Sequence, residues 1–174
     1  MKRILLYALL IFMILIPLAL SGCEQNTQAT PEFGRDDLTI YLDGTRYDLN
    51  MDILDVIAAL GDDYDFAQSI SCEHDGYDKS FLYTSIEFYT YPLPHGDIVF
   101  EIFTTDPEAS TTRGIRIGAT AEEVLAAYGS DGVVNDFEIV YSLPACADFP
   151  VGASLCFDLR DGVVTAIFVT ARAW

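Results

Sequence analysis

The chain has 174 residues and a formal net charge of −18, which becomes about −20 once the +2 of Lys2 and Arg3 in the N-terminal segment is set aside. So acidic a domain repels nucleic acid and anionic lipid surfaces, and direct DNA or RNA binding is excluded as a working reading. With 10 Tyr and 11 Phe beside many Ile and Val, it has the material for a core; the length suits one compact domain or two very small units.

In chain order, the first element is a targeting segment. Lys2 and Arg3 form a positive n-region, Ile4 to Leu20 is almost wholly apolar, and Leu20-Ser21-Gly22-Cys23 closes it with small residues. That order of charge, apolar core and small-residue site marks a secretory signal over residues 1–22. Its end resembles the lipobox of bacterial lipoproteins. The resemblance implies that the Cys23 thiol receives diacylglycerol, becomes the mature N-terminus, is acylated, and holds the domain on the outer side of the cell membrane. A plain transmembrane anchor is the alternative, since the apolar run is long enough to span. The polar stretch that follows, to about Asp37, reads as a flexible tether over 23–37.

Beyond the tether, Leu38–Leu42 and Thr45–Asp48 flank Asp43-Gly44, a hairpin signal. Ile53, Val56, Ile57 and Leu60 then fall at i, i+3, i+4 and i+7, one apolar stripe of a helix capped by Asn50 or Asp52 and stopped by Gly61. Strand-like alternation follows over Ser85–Tyr91 and Ile98–Phe103. It predicts Ile86, Phe88, Phe100 and Ile102 facing the helix, with Tyr89, Tyr91, Val99 and Phe103 on the other side. A second helix opens at Thr120, whose capping box is completed by Glu123, and ends at Gly129, expected to be a left-handed C′ residue. Two alternating strands, Ala153–Leu159 and Val163–Thr170, turn at Asp161-Gly162.

The two helical segments align without gaps. Leu49 to Gly61 lies on Ile117 to Gly129, matching Val56 with Val124, Ala58 and Ala59 with Ala126 and Ala127, and Gly61 with Gly129. Helices this short are unstable alone, so they must lie on a sheet. The expected class is α+β, with two tandem repeats of a short helix packed on antiparallel strands, over 38–111 and 112–174.

A repeated short helix opened by Ile-Gly-x-Thr, closed by Gly and followed by antiparallel strands resembles the β-lactamase-inhibitor-protein-like fold. The same unit occurs singly in SmpA/OmlA-type lipoproteins of outer-membrane assembly. Thr112 to Gly129, Cys72 to Lys79 and Phe88 to Pro92 also resemble uncharacterised lipoproteins of clostridia and their relatives. The resemblance implies a concave, aromatic-rich sheet that grips a protein, and carries over no individual binding residue.

Four groups are candidates for chemistry. With Cys23 assigned to lipid, Cys72, Cys146 and Cys156 remain, and Cys146 and Cys156 flank a turn-rich stretch and are expected to pair. Three reduced, packed thiols are the alternative. Cys72 and His74 share a face if that segment is a strand, the geometry of a thiol enzyme or hydrolase, but a half-buried structural cysteine is the plainer reading. The aspartates at 62, 63, 65, 131 and 136 lack the spacing of a calcium loop, and no metal or cofactor is expected. The fourth group is Tyr89, Tyr91, Val99 and Phe103: an open binding face, or core if the second repeat packs on it. The functional expectation is a lipid-anchored, non-catalytic interaction module for an envelope protein or peptide. The alternatives are an envelope enzyme built on Cys72 and His74, and an accessory lipoprotein of an assembly or transport complex.

Overall fold

The computed structural model describes residues 32–171; the signal segment expected over 1–22 and Cys23 lie outside the described residues. Among the described residues no helix is long and apolar enough to cross a membrane. The architecture is mixed α/β and dominated by strands, with two sheets and two α-helices. A hairpin of β1 (Thr39–Leu42) and β2 (Thr45–Asp48) leads into α1 (Ile53–Leu60). Then come β3 (Asp65–Ile70), β4 (Tyr77–Leu82), β5 (Ile86–Leu93) and β6 (Gly96–Thr104). After β7 (Ser110–Thr111) and α2 (Ala121–Tyr128), the chain forms β8 (Val133–Val134), β9 (Glu138–Leu143), β10 (Ala153–Arg160) and β11 (Val163–Thr170).

The large sheet runs β3-β4-β5-β6-β11-β10-β9-β8, all of its neighbours antiparallel. Two four-stranded meanders, each following one helix, therefore meet at their last strands, where Thr104 opposes Ile167 and Ile102 opposes Val169. The small sheet, β2-β1-β7, joins the segments ahead of the two helices. One continuous core lies between the helices, the small sheet and one face of the large sheet, with Ile40, Val56, Phe88, Ile102, Val124, Phe157 and Ile167 fully buried.

Both helices begin and end by the same local devices. Asp52 caps α1 by accepting from Leu54 N–H, and Thr120 caps α2 inside the capping box with Glu123. Ahead of each cap is a residue with positive φ, Asn50 or Gly118. There the backbone crosses to the large sheet: Asn50 N–H donates to Val99 O at 2.8 Å, and Gly118 N–H to Val164 O at 2.9 Å. At the far ends, Gly61 and Gly129 have φ 87 and 86 with ψ −173 and −176. The ψ values correct the expected left-handed cap: the chain leaves each helix extended, because it must enter the sheet at once. The Tyr83 hydroxyl donates to Gly61 O at 2.8 Å and the Tyr141 hydroxyl to Gly129 O at 2.6 Å, satisfying carbonyls just past the helices.

The tether expected over 23–37 is shorter than read. Phe33 packs its ring near Tyr141 at 5.7 Å, Arg35–Asp37 form a 3-10 turn, and Asp37 is buried against Arg113. Cys72 and His74 lie in the loop between β3 and β4 rather than on a strand.

Candidate functional site

The helices and small sheet cover one face of the large sheet, and the other face carries a mixed aromatic and acidic surface. In β5, Ile86 and Phe88 belong to the core, so Glu87, Tyr89 and Tyr91 project to the opposite side. Phe103 follows in β6, and its direct neighbour across the β6–β11 seam is Phe168, ring centroids 6.4 Å apart. In β10 the alternate residues Cys156 and Asp158 share this side, and Asp158 directly opposes Glu138 of β9.

Of the four residues predicted for this face, Tyr89, Tyr91 and Phe103 are on it and half-buried, while Val99 is not. A β-bulge between Tyr89 and Thr90 on one strand, with Phe100 as the extra residue on the other, shifts the alternation of β6. Val99 is thereby turned into the core, fully buried, and exchanges backbone hydrogen bonds with Asn50 and Met51. Phe100 takes the outer position, stacked on Tyr91 at 5.2 Å with planes 6° apart. His74 closes the same corner, its ring 4.8 Å from Tyr91.

The electrostatics are mainly acidic, with Arg160 the basic residue at the end of β10 on the same side. No ion pair formed among the described residues engages Glu87, Glu138 or Asp158. Burial raises the Asp158 carboxyl above its usual range, and Glu138 beside it adds to the shift. The Tyr89 phenol is raised well beyond the ordinary value by burial, then by its hydrogen bond to Glu87 and the charges of Glu87 and Glu101. Burial also pushes the Cys156 thiol up to about 12, helped by Glu138, Asp158 and Glu101. In all three the largest cause is burial, and the neighbouring carboxylates of Glu87, Glu101, Glu138 and Asp158 add to it. Such a face attracts cationic groups and repels carboxylates and phosphates.

The cysteines correct the expected Cys146–Cys156 bridge. All three described cysteines are free: Cys156 is buried on the sheet, while Cys72 and Cys146 are exposed in loops. An alternating strand fixes Cys156 on its own face, so proximity along the chain does not bring the two together. In the Cys23→Ser domain, an alkylating agent at neutral pH is expected to modify Cys72 and Cys146 and to reach Cys156 only after denaturation. Mass spectrometry with and without reductant reads the outcome; protection of Cys146 that only a reductant relieves would restore the pairing.

Sequence alternation located Tyr89, Tyr91 and Phe103 and, separately, marked Ala153–Leu159, which carries Cys156 and Asp158, as an alternating strand. It did not join the two sets, because the β6–β11 pairing that makes one surface of them links segments about 65 residues apart and leaves no local trace. Among the described residues no group of three or more His, Cys, Asp or Glu side chains is arranged to hold a metal ion. No family model, curated protein or solved structure matches the chain.

Proposed function

We propose that this chain is a lipid-anchored, extracytoplasmic interaction module without catalytic activity. It engages an envelope protein or peptide bearing basic side chains through the open face of the large sheet. The observation that carries the reading is the one-sided covering of that sheet, whose other face combines Tyr89, Tyr91, Phe100, Phe103 and Phe168 with Glu87, Glu138 and Asp158. The half-buried rings of Tyr89, Tyr91, Phe103 and Phe168 supply contact area at low entropic cost, with Phe100 buried against Tyr91 as their support, and the carboxylates supply orientation and encounter rate. Anchoring through Cys23 rests on the lipobox resemblance.

The module is proposed to be a tandem duplication of one α/β unit, akin to the β-lactamase-inhibitor-protein-like fold. Supporting this are the matched spans of α1 and α2, the paired Asn50/Gly118 and Gly61/Gly129 conformations, the Tyr83 and Tyr141 hydrogen bonds, and one bulge in each meander.

The test is capture from envelope extract by the mature Cys23→Ser domain across a salt series, beside the Tyr89→Ala/Tyr91→Ala variant. The expected result is a partner held by the unaltered domain, lost by the folded variant and released by salt. Equal capture by both would move the function off this face. A variant that captures nothing and is also unfolded would make the tyrosines structural.

A further inference from the structure

The two edges of the large sheet are built differently. At one end β8 has two residues, a short edge of the kind that resists pairing with another chain. At the other, β3 has six residues, all exposed, and no described strand pairs with its outer edge. Its sequence, Asp65-Phe-Ala-Gln-Ser-Ile70, contains none of the usual obstacles: no proline, no lysine, and no bulge in its register with β4. Phe66 (51 % exposed) and Ile70 (77 %) stand on one side of the strand, with Tyr77 (48 %) beside Ile70 on β4. An unpaired edge beside exposed apolar side chains is a ready template for a further strand.

We propose that the outer edge of β3 receives an added strand: an extended segment of a partner protein, with apolar side chains at alternate positions and basic residues at both flanks. The backbone edge supplies the hydrogen bonds, and Phe66 and Ile70 supply contacts for the alternate side chains. The flanks set the charge. Asp62, Asp63 and Asp65 stand at the start of β3, and Glu73 and Asp75 lie in the loop beyond its end, all but Tyr64 exposed in the stretch from Gly61 to Asp65. The same pattern argues against a second copy of this chain as the occupant. Antiparallel self-pairing that keeps Phe66 and Ile70 on one side centres on Gln68 and brings the acidic start of β3 in each copy toward the acidic loop that follows Ile70 in the other. Like charges so placed oppose pairing, whereas lysine or arginine at both ends of an incoming strand answers them.

The test uses the mature Cys23→Ser domain and two synthetic probes. One is a peptide of alternating valine and threonine with two lysines at each end; the other has glutamates in place of the lysines. The lysine peptide is expected to bind and to slow amide hydrogen exchange within Asp65–Ile70, and the glutamate peptide to bind about tenfold or more weakly. Successive amides of a strand point to opposite edges, so Ala67→Pro and Gln68→Pro are made separately, and the one that removes an outward N–H should abolish binding while the domain stays folded. As a second handle, Asp63→Lys/Asp65→Lys should reverse the order of the two peptides. Tyr89→Ala/Tyr91→Ala should leave the protection of Asp65–Ile70 by the lysine peptide unchanged, whatever that peptide does at the open face, which separates the two sites. Absence of protection over Asp65–Ile70 with either peptide would overturn the proposal. So would a dimer of the peptide-free domain that Ala67→Pro or Gln68→Pro dissolves, since the edge would then be a self-pairing one.

Discussion

Replacing Arg113 with methionine is expected to lower the stability of the domain by about 3–5 kcal/mol, the usual consequence of removing one member of a buried ion pair. The guanidinium grips Asp37 with two donors, Nε to Oδ1 and Nη2 to Oδ2, both at 2.7 Å, and the two side chains are only 14 % and 7 % exposed. Nη1 also donates to Ala127 O at 3.0 Å, in the last turn of α2, where a cation opposes the negative end of the helix dipole. Nη2 reaches Glu32 O, and the guanidinium carbon lies 4.7 Å from the centre of the Tyr128 ring. Methionine fills much of the same volume but leaves the Asp37 carboxylate without its cation. The pair sits 76 residues apart in sequence and fastens the segment before β1 to the second helix, so its loss should also free Phe33 from Tyr128 and Tyr141. Urea denaturation measures the change, and Arg113→Met/Asp37→Leu should recover most of it because no charge is then stranded. A loss below about 1 kcal/mol in the single variant would mean that water reaches Asp37 and the pair behaves as a surface one.

The second large effect is expected at the helix ends. Gly61 and Gly129 combine φ near +87 with ψ close to 180, a region almost confined to glycine. A Cβ at Gly61 would meet nothing within 4 Å, so alanine there is opposed by backbone strain alone. Gly61→Ala and Gly129→Ala should each cost about 1–3 kcal/mol, and the double variant about 2–6 kcal/mol if the two sites act independently. Set against the roughly 5–15 kcal/mol typical of a domain, the double variant stands near the limit of folding. Gly34 is the control: its φ of −140 suits any residue and its Cβ position is open, so Gly34→Ala should change stability by no more than about 0.5 kcal/mol. Unequal losses at Gly61 and Gly129 would show that the two helix ends, alike in backbone, differ in how far their surroundings can relax.

These two cases show where the sequence was readable. The glycine stops, the Thr120–Glu123 capping box and the apolar stripe of α1 are local signals, and each helix sits where they place it. β10 and β11 were legible for the same reason: Leu155, Phe157 and Leu159 alternate with smaller or polar residues, and Asp161-Gly162 marks the turn between the two strands. β3 has no buried face, so Asp-Phe-Ala-Gln-Ser-Ile carries no such period and was passed over. At Ile98-Val99-Phe100 all three residues are apolar, and nothing in the pattern says which one a bulge will turn outward. The Arg113–Asp37 pair left no sign either, because an arginine in a turn and an aspartate in an apparent tether become partners only once the sheets assemble. The candidate face was legible strand by strand and illegible as a whole.

The seam between the meanders also decides when the molecule can be finished. β11 is the latest in chain order of the described strands, yet it lies in the middle of the large sheet, paired with β6 on one side and β10 on the other. During synthesis every strand from β3 to β6 is available long before that neighbour exists, and the inner edge of β6 stays raw in the meantime. Closing the seam then requires contacts between distant parts of the chain, the kind that form slowly. Growth of the polypeptide thus leaves a long interval in which a half-built sheet exposes an edge at its future centre, and holding that edge apart from other chains is a task for the cell's folding machinery before it is one for the protein.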